Sequence, residues 1–171
     1  MILETDRLQL INLSLEQLEF IPNKIAELEK DLDCTEIKDL LDAPILKAIG
    51  IKVKILRKIS LHDHPWLTYW LVLDKNSKTA LGFFGFKGYP DENGETEVGY
   101  GVSPNYRRQG IAGESLSVLT KWAFSKKECC SITASEVLNT NLGSQKVLRK
   151  CGFKQISENN ETCNWILNKK I

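Results

Sequence analysis

The sequence predicts an α+β fold, in which a mixed, largely antiparallel sheet carries helices on both faces. A strand-like run near the start precedes residues with helical spacing. Three strand-like runs rich in aromatic and β-branched residues fill the middle of the chain, at residues 66–73, 80–89 and 95–102. A helix, a strand, a second helix and two short strands complete the order, which gives a sheet of about six or seven strands.

The first third of the chain reads as one strand followed by helices. Residues 7–13 alternate as in a strand, and Ser14 with Gln17 forms a capping-box pattern that starts a helix. Pro22 is predicted to begin a second helical segment, because proline is tolerated in the first turn. Asp42-Ala43-Pro44 marks a further helix start.

Turn signals in the remainder set the order of the elements. Asn93-Gly94 between two strand-like runs predicts a hairpin, and therefore an antiparallel meander. Residues 131–137 then read as a strand. Leu142 to Lys150 reads as a helix closed by Gly152, since glycine is preferred just after a helix end.

Composition limits the classes of function. The 171 residues show no repeat or linker and are interpreted as a single domain, residues 1–171, with a net charge of +1. That balance gives no case for binding nucleic acid or a membrane. The acidic N-terminus lacks a signal-peptide pattern, so a cytoplasmic location is expected. Five cysteines without a C-x-x-C pair, and His62-Asp63-His64-Pro65 without a nearby third ligand, predict no metal site.

A basic run lies at residues 47–58, where five lysines and arginines occur with no acid between them. An acidic partner or substrate is one interpretation. A solvated helix face is the simpler one.

The stretch RRQGIAGE, residues 107–114, joins a strand-like run to a helix-like run. Helix N-termini present unpaired N–H groups, and glycines let an anion approach them closely, so the turn suits a pyrophosphate. An ordinary strand–helix loop with solvated arginines is the alternative. Neither G-x-x-x-x-G-K-[ST] nor G-x-G-x-x-G is present.

Several ordered motifs resemble one family. The R-x-x-G-x-A of residues 107–112, the N-x-x-S-x-x-V-L-x-K-x-G-F of residues 141–153, the opening ETDRLQL and the E-V-G-Y of residues 97–100 are similar to the Rim-type branch of the GNAT acetyltransferase superfamily. That branch includes acetyltransferases of ribosomal-protein N-termini. Residues 33–64 fit the resemblance least well.

The resemblance implies a sheet that splays between its fourth and fifth strands, here residues 95–103 and 131–137, with acetyl-CoA as co-substrate in the opening. Backbone groups near Tyr100, Val102 and Ser103 would pair with the pantetheine arm, and an N–H near Tyr100 could polarise the thioester carbonyl. The residues that it assigns to acetyl-CoA binding are Tyr100, Val102, Ser103, Arg107, Arg108, Gln109, Gly110, Ile111, Ala112, Gly113, Asn141 and Ser144.

Direct attack of an amine on the thioester requires a base for the ammonium and an acid for the thiolate. By resemblance Glu97 is the candidate base, acting through water, with Glu95 on the same side of the strand as the substitute. Ser144 is the candidate acid or thiolate hydrogen-bond donor. For the two glutamates a solvated strand position is the alternative, and for Ser144 the alternative is a serine on the helix face that caps a turn. Asn141 is expected to cap its helix and to bind the pantetheine arm.

The predicted function is therefore an acetyl-CoA-dependent N-acetyltransferase that acts on a primary amine in a ternary complex. The acceptor stays open between a protein N-terminus, an amino acid, a polyamine and an aminoglycoside. Trp66, Tyr69 and Trp70 either line the acceptor site or belong to the core, and Gly101 stands where the branch commonly has tryptophan. A non-catalytic module that binds or senses acyl-CoA is the alternative function.

Overall fold

A computed structural model describes residues 1–170. Its sheet has eight strands in the order β1-β2-β3-β4-β5-β6-β8-β7, and every neighbouring pair is antiparallel except β5–β6, which is parallel. The strands are β1 Ile2–Glu4, β2 Leu8–Asn12, β3 Trp70–Asp74, β4 Ala80–Phe86, β5 Glu95–Val102, β6 Ser131–Leu138, β7 Lys154–Glu158 and β8 Thr162–Asn168. The helices are α1 Leu15–Phe20, α2 Ile25–Asp31, α3 Ala43–Leu56, α4 His64–Leu67, α5 Ile111–Phe124 and α6 Leu142–Lys150.

The sheet separates two hydrophobic cores. On one face, Leu116 of α5 and Leu148 of α6 belong to a cluster that includes Phe84 of β4. On the other face, Ile49 of α3 and residues of α1 and α2 cluster with Phe83, the next residue of β4. Because successive strand residues point to opposite faces, the predicted α+β arrangement with helices on both faces is confirmed.

The sheet opens between β5 and β6. Their parallel pairing covers residues 95–97 with residues 131–133, although β5 runs on to residue 102 and β6 to residue 138. A register shift in β6 between Ala134 and Val137 follows at once, with Glu136 at a positive φ of 54°. A bulge of this kind bends its strand, which explains why β6 leaves β5 at this point. The splay predicted between the fourth and fifth strands is this opening.

Residues 1–170 form eight strands rather than six or seven, because Ile2–Glu4 near the start of the chain form β1, which is too short to show alternation. Trp66 lies in α4, whose first turn holds Pro65, so the strand predicted from residue 66 begins only at Trp70. Pro22 falls in the turn between α1 and α2, and α2 begins at Ile25 instead.

The predicted caps are confirmed. Ser14 and Gln17 form the complete capping box, and Asp42 accepts a hydrogen bond from the Ile45 N–H at 2.8 Å. Gly152 follows α6 with a φ of 90°, a conformation that favours glycine. Asn93-Gly94 lies in the turn between the antiparallel strands β4 and β5.

Across residues 1–170, none of the helices has both the length and the apolar character needed to cross a membrane.

Candidate active site

The loop before α5 presents free backbone donors. Gly110 is the N-cap of α5, with a φ of 80° that a glycine adopts without strain. The first helical bond runs from the Glu114 N–H to the Gly110 carbonyl at 3.1 Å. The N–H groups of Ile111, Ala112 and Gly113 therefore have no acceptor within the helix, and they carry the positive end of its dipole.

The two arginines of the loop are exposed, but they are not equivalent. Arg107 donates from Nε to the carbonyl oxygen of Val102 at 3.1 Å, which ties the loop to the end of β5. Arg108 adopts a left-handed φ of 63°. Arg107 thus has a positioning contact, whereas no hydrogen bond of the Arg108 side chain is seen within residues 1–170.

The turn between β1 and β2, residues 5–7, is called the N-terminal turn, and it contacts both the loop before α5 and the first turn of α5. Arg7 donates from Nη2 to the Gln109 carbonyl at 2.7 Å and from Nε to Glu114 Oε2 at 2.7 Å. Thr5 also donates to the Glu114 carboxylate. Partial burial alone would raise the pKa of Glu114, but the hydrogen bonds from Thr5 and Arg7 outweigh it and lower the pKa. ETDRLQL resembles a family motif, but the sequence alone does not indicate this contact with Glu114.

The edge of β5 that faces the opening carries backbone groups on alternate residues. The Glu97 carbonyl accepts from the Lys87 N–H, and the Ser103 N–H donates to the Leu81 carbonyl, so these odd-numbered residues bond toward β4. By alternation, the backbone groups of Val98, Tyr100 and Val102 point toward β6. The backbone groups of Tyr100 and Val102 thus face the opening, although the Val102 carbonyl already accepts from Arg107 Nε, and their pairing with a pantetheine arm stays a prediction.

Ser103 departs from the prediction that it pairs with the pantetheine arm. Its N–H is bonded to Leu81, and its carbonyl accepts from the Tyr106 N–H, both at 2.9 Å. The Ser103 N–H is therefore not free for a ligand, and its carbonyl oxygen already has one partner within the protein.

Glu97 lies at the closed end of the opening. Its Oε1 accepts from the Ser135 N–H at 3.3 Å, at the bulge where β6 turns away. Lys87 forms an ion pair with the same oxygen. Glu95 instead accepts from the Ser131 hydroxyl at 3.3 Å, within the paired part of the strands. The two glutamates share a face, but only Glu97 borders the opening.

Asn141 and Ser144 lie on the other side of the sheet, in the first turn of α6. Asn141 Oδ1 accepts from the Ser144 N–H at 3.1 Å, so its predicted capping role is confirmed. The Ser144 hydroxyl lies 2.8 Å from the Tyr100 hydroxyl. Since Tyr100 packs with the core beneath α5 and α6, it faces away from Glu97.

A cavity of about 700 Å³ is lined by the N-terminal turn, α5 and α6, and Gly110 and Gly113 form part of its wall. Three lysines also line it, Lys121 from α5 and Lys146 and Lys150 from α6. The i, i+4 spacing of Lys146 and Lys150 places both on one face of α6, but the sequence alone does not show that this face meets α5.

The aromatic candidates for the acceptor site belong mostly to the core. Trp66 and Trp70 are buried and pack on Trp122, with ring centroids 4.7 and 5.2 Å away. Tyr69 remains partly exposed, with the Lys52 ammonium 4.8 Å above its ring. Within the described chain, no group of three or more His, Cys, Asp and Glu residues is arranged to hold a metal ion.

Comparison with known proteins agrees with this geometry. The family model described as "Acetyltransferase (GNAT) domain" matches residues 47–154. The chain is 30% identical over 165 residues to the uncharacterized N-acetyltransferase YjdG of Bacillus subtilis, covering 96% of each protein.

Two solved structures share the fold. RimL, a ribosomal L7/L12 alpha-N-protein acetyltransferase in complex with coenzyme A, aligns with a TM-score of 0.69 at 16% identity, over 98% of each chain. A chimera of the spermidine N-acetyltransferase SpeG from Vibrio cholerae and hSSAT aligns with a TM-score of 0.64 at 16% identity, over 95% of this chain and 96% of its own. On the family match and the full-length relative, the chain belongs to the GNAT family of acetyltransferases.

Proposed function

We propose that this acetyltransferase moves the acetyl group of acetyl-CoA directly to a primary amine, with both substrates bound together. The observation that carries the proposal is the opening between β5 and β6, which has Glu97 on one face and Ser144 on the other. An amine that enters on the Glu97 face and a thiol that leaves on the Ser144 face would meet in the opening without exchanging places.

The N–H groups of Ile111, Ala112 and Gly113 would hold the pyrophosphate, supported by Arg108. The pantetheine arm of acetyl-CoA would follow β5 as an added strand and form hydrogen bonds with Val98 and Tyr100, because the backbone groups of these residues face the opening. The nucleotide end would lie in the cavity beside α5 and α6, where Lys121, Lys146 and Lys150 suit phosphate.

Glu97 would accept the proton of the acceptor ammonium, through water. The Ser135 N–H fixes one of its oxygens, and the Lys87 ammonium already shows that a cation pairs with this carboxylate. An acceptor ammonium, with a water between it and Glu97, would therefore compete with Lys87 for this carboxylate. Once deprotonated, the amine attacks the acetyl carbonyl, toward which the Tyr100 N–H would donate a hydrogen bond. The C–S bond then breaks, and the proton that the new amide nitrogen loses balances the one that the thiolate gains, while the Ser144 hydroxyl would donate a hydrogen bond to the departing sulfur.

The space above β5 favours an extended acceptor. Gly99 and Gly101 share the Glu97 face by alternation, and a Cβ built on either glycine meets no atom within 4 Å. An unobstructed strand surface can accommodate the extended backbone of a protein N-terminus, whereas it offers few contacts to a compact amine. We therefore propose a protein or peptide N-terminus as acceptor, with polyamines and aminoglycosides as competitors.

The test measures release of the CoA thiol with a panel of N-terminal peptides, spermidine and an aminoglycoside. The thermal midpoint with acetyl-CoA, CoA and ATP is recorded alongside, since a ligand of the folded state raises it. We expect both CoA species to raise the midpoint and peptides to give the highest turnover.

Glu97→Gln should lower kcat by roughly 10²–10⁴-fold and keep the thermal shift with acetyl-CoA. Glu95→Gln, on the same face of the same strand, is the matched control. Full activity of Glu97→Gln would exclude Glu97 as the base. A midpoint shift without thiol release from any acceptor would instead indicate a module that only binds acyl-CoA.

A further inference from the structure

The Tyr100 side chain bridges the two halves of the opened sheet. It leaves β5 beyond the last residue paired with β6, and its hydroxyl reaches the first turn of α6, 2.8 Å from the Ser144 hydroxyl. Its ring stacks on Phe84 with centroids 5.3 Å apart and an interplanar angle of 11°. Because Phe84 is fully buried in the core, this stacking restricts the orientation of the Tyr100 side chain.

The Ser144 hydroxyl has a single hydrogen, and the bond to Tyr100 can run in either direction. If Ser144 donates to Tyr100, no hydrogen remains for a thiolate. If Tyr100 donates, the Ser144 oxygen is an acceptor and its own hydrogen can turn into the opening. A hydroxyl that accepts one hydrogen bond is also a stronger donor of the next.

Two oxygen atoms of Ser144 lie within reach of the Tyr100 hydroxyl, Oγ at 2.8 Å and the backbone carbonyl oxygen at 3.4 Å, and the shorter distance favours donation to Oγ. Burial raises the pKa of Tyr100 to about 12, so the phenol keeps its proton at neutral and moderately alkaline pH. The Ser144 N–H is already bound to Asn141 Oδ1, which holds the serine in register with the phenol. Phe84 therefore fixes the position of the Tyr100 ring, and Asn141 fixes the position of the Ser144 backbone.

We propose that Tyr100 is a positioning residue for the reaction: its hydroxyl donates to Ser144 Oγ and thereby directs the Ser144 hydrogen toward the departing sulfur. The inference rests on the donor role proposed above for Ser144. Tyr100 keeps its proton throughout, so it acts through Ser144 and touches neither substrate with its hydroxyl.

The experiment compares Tyr100→Phe, Ser144→Ala and the double variant. Phenylalanine retains the ring and its stacking on Phe84, so the change removes the hydroxyl alone. We expect Tyr100→Phe to lower kcat by roughly two- to tenfold, the range for one neutral hydrogen bond, with the KM for acetyl-CoA unchanged. The double variant should match Ser144→Ala within about twofold, because the two hydroxyls act as one unit.

Tyr106→Phe is the matched control, since its hydroxyl is also engaged, at 2.7 Å from Glu36 Oε2, yet it does not contact Ser144. It should leave kcat unchanged. Thermal midpoints confirm that each variant is folded.

The failures can be told apart. If the wild type releases no thiol with any acceptor, the proposed function fails and takes this inference with it. If Ser144→Ala turns over normally, the serine is not the donor and the inference is again overturned. If Ser144→Ala is slow while Tyr100→Phe is normal, or if the two losses multiply independently, the positioning role of Tyr100 alone is wrong.

Discussion

Arg7 and Glu114 lie 107 residues apart in the sequence and form an ion pair with 2.7 Å between Nε and Oε2. A second nitrogen of Arg7 binds the Gln109 carbonyl, so one guanidinium holds both the loop and the first turn of α5. The N-terminal turn is thus joined to the predicted pyrophosphate site, although no residue of that turn was among the predicted ligands.

Arg7→Ala is expected to weaken acetyl-CoA binding by a few-fold, because the loop loses the support that orders it before the ligand arrives. Exposed contacts of this kind are typically worth about 0.2–1 kcal/mol each, because solvent screens them. Isothermal titration with CoA measures the change. Arg57→Ala is the control, since Arg57 forms a similar 2.7 Å pair with Glu19 away from the loop. Equal effects of both substitutions would show that the Arg7 contact has no specific role at the site.

Gly113→Val should weaken CoA binding by at least about tenfold, or about 1.4 kcal/mol. Apart from its chain neighbours and the backbone of its own helix, no protein atom lies within 4 Å of a Cβ built at Gly113, so the added side chain displaces only what occupies the cavity. Gly50→Val, in α3, is the control because its Cβ also meets open space in a helix. Unchanged CoA affinity in Gly113→Val would place the phosphate site elsewhere.

Whereas Gly113→Val should impair CoA binding, Gly99→Val should impair the peptide acceptor and spare CoA. Its side chain would enter the space beside Glu97, so kcat/KM for a peptide acceptor should fall about tenfold or more while CoA affinity stays the same. Valine suits a strand, so the fold should tolerate the change. Steady-state kinetics with the acceptor varied would detect it, with Gly88→Val, also next to open space, as control. A loss of CoA affinity instead would mean that the two substrates share this face.

Lys87→Gln tests whether an ammonium competes for Glu97. Removing the paired cation should lower the acceptor KM by about two- to fivefold, the range that corresponds to an exposed ion pair. The KM for acetyl-CoA should not change. A raised acceptor KM would show that Lys87 helps to bind the acceptor.

Lys52 gives a prediction about stability and pH. Its ammonium donates to the carbonyls of Leu67 and Phe86 at 2.8 and 3.0 Å, and burial lowers its pKa from 10.5 to about 8. Between these values the unfolded chain holds a proton that the folded protein has released, so stability relative to Lys52→Met should rise from pH 8 to 10.5. Urea unfolding of both proteins across that range measures the difference. Lys54→Met, at an exposed position of the same helix, should show no such rise.

Much of the local structure could be predicted from the sequence because its causes are local. The capping box at Ser14, the Asp42 cap, the Asn93-Gly94 turn and Gly152 after α6 each depend on a few neighbouring residues. Where local signals were weak or mixed, as at β1 and around Trp66, prediction failed, because three residues show no period and aromatic residues suit a buried helix as well as a strand.

The sequence by itself determined the family motifs, the glycine loop at the start of α5, and the strand parity that places Glu95 and Glu97 on one face. Only the tertiary structure decided which glutamate borders the opening, because that depends on where the bulge in β6 ends its pairing with β5. It also decided that Arg7 supports the loop and that Tyr100 meets Ser144. These contacts join residues 44 to 107 positions apart, and no local pattern records the packing that brings such residues together.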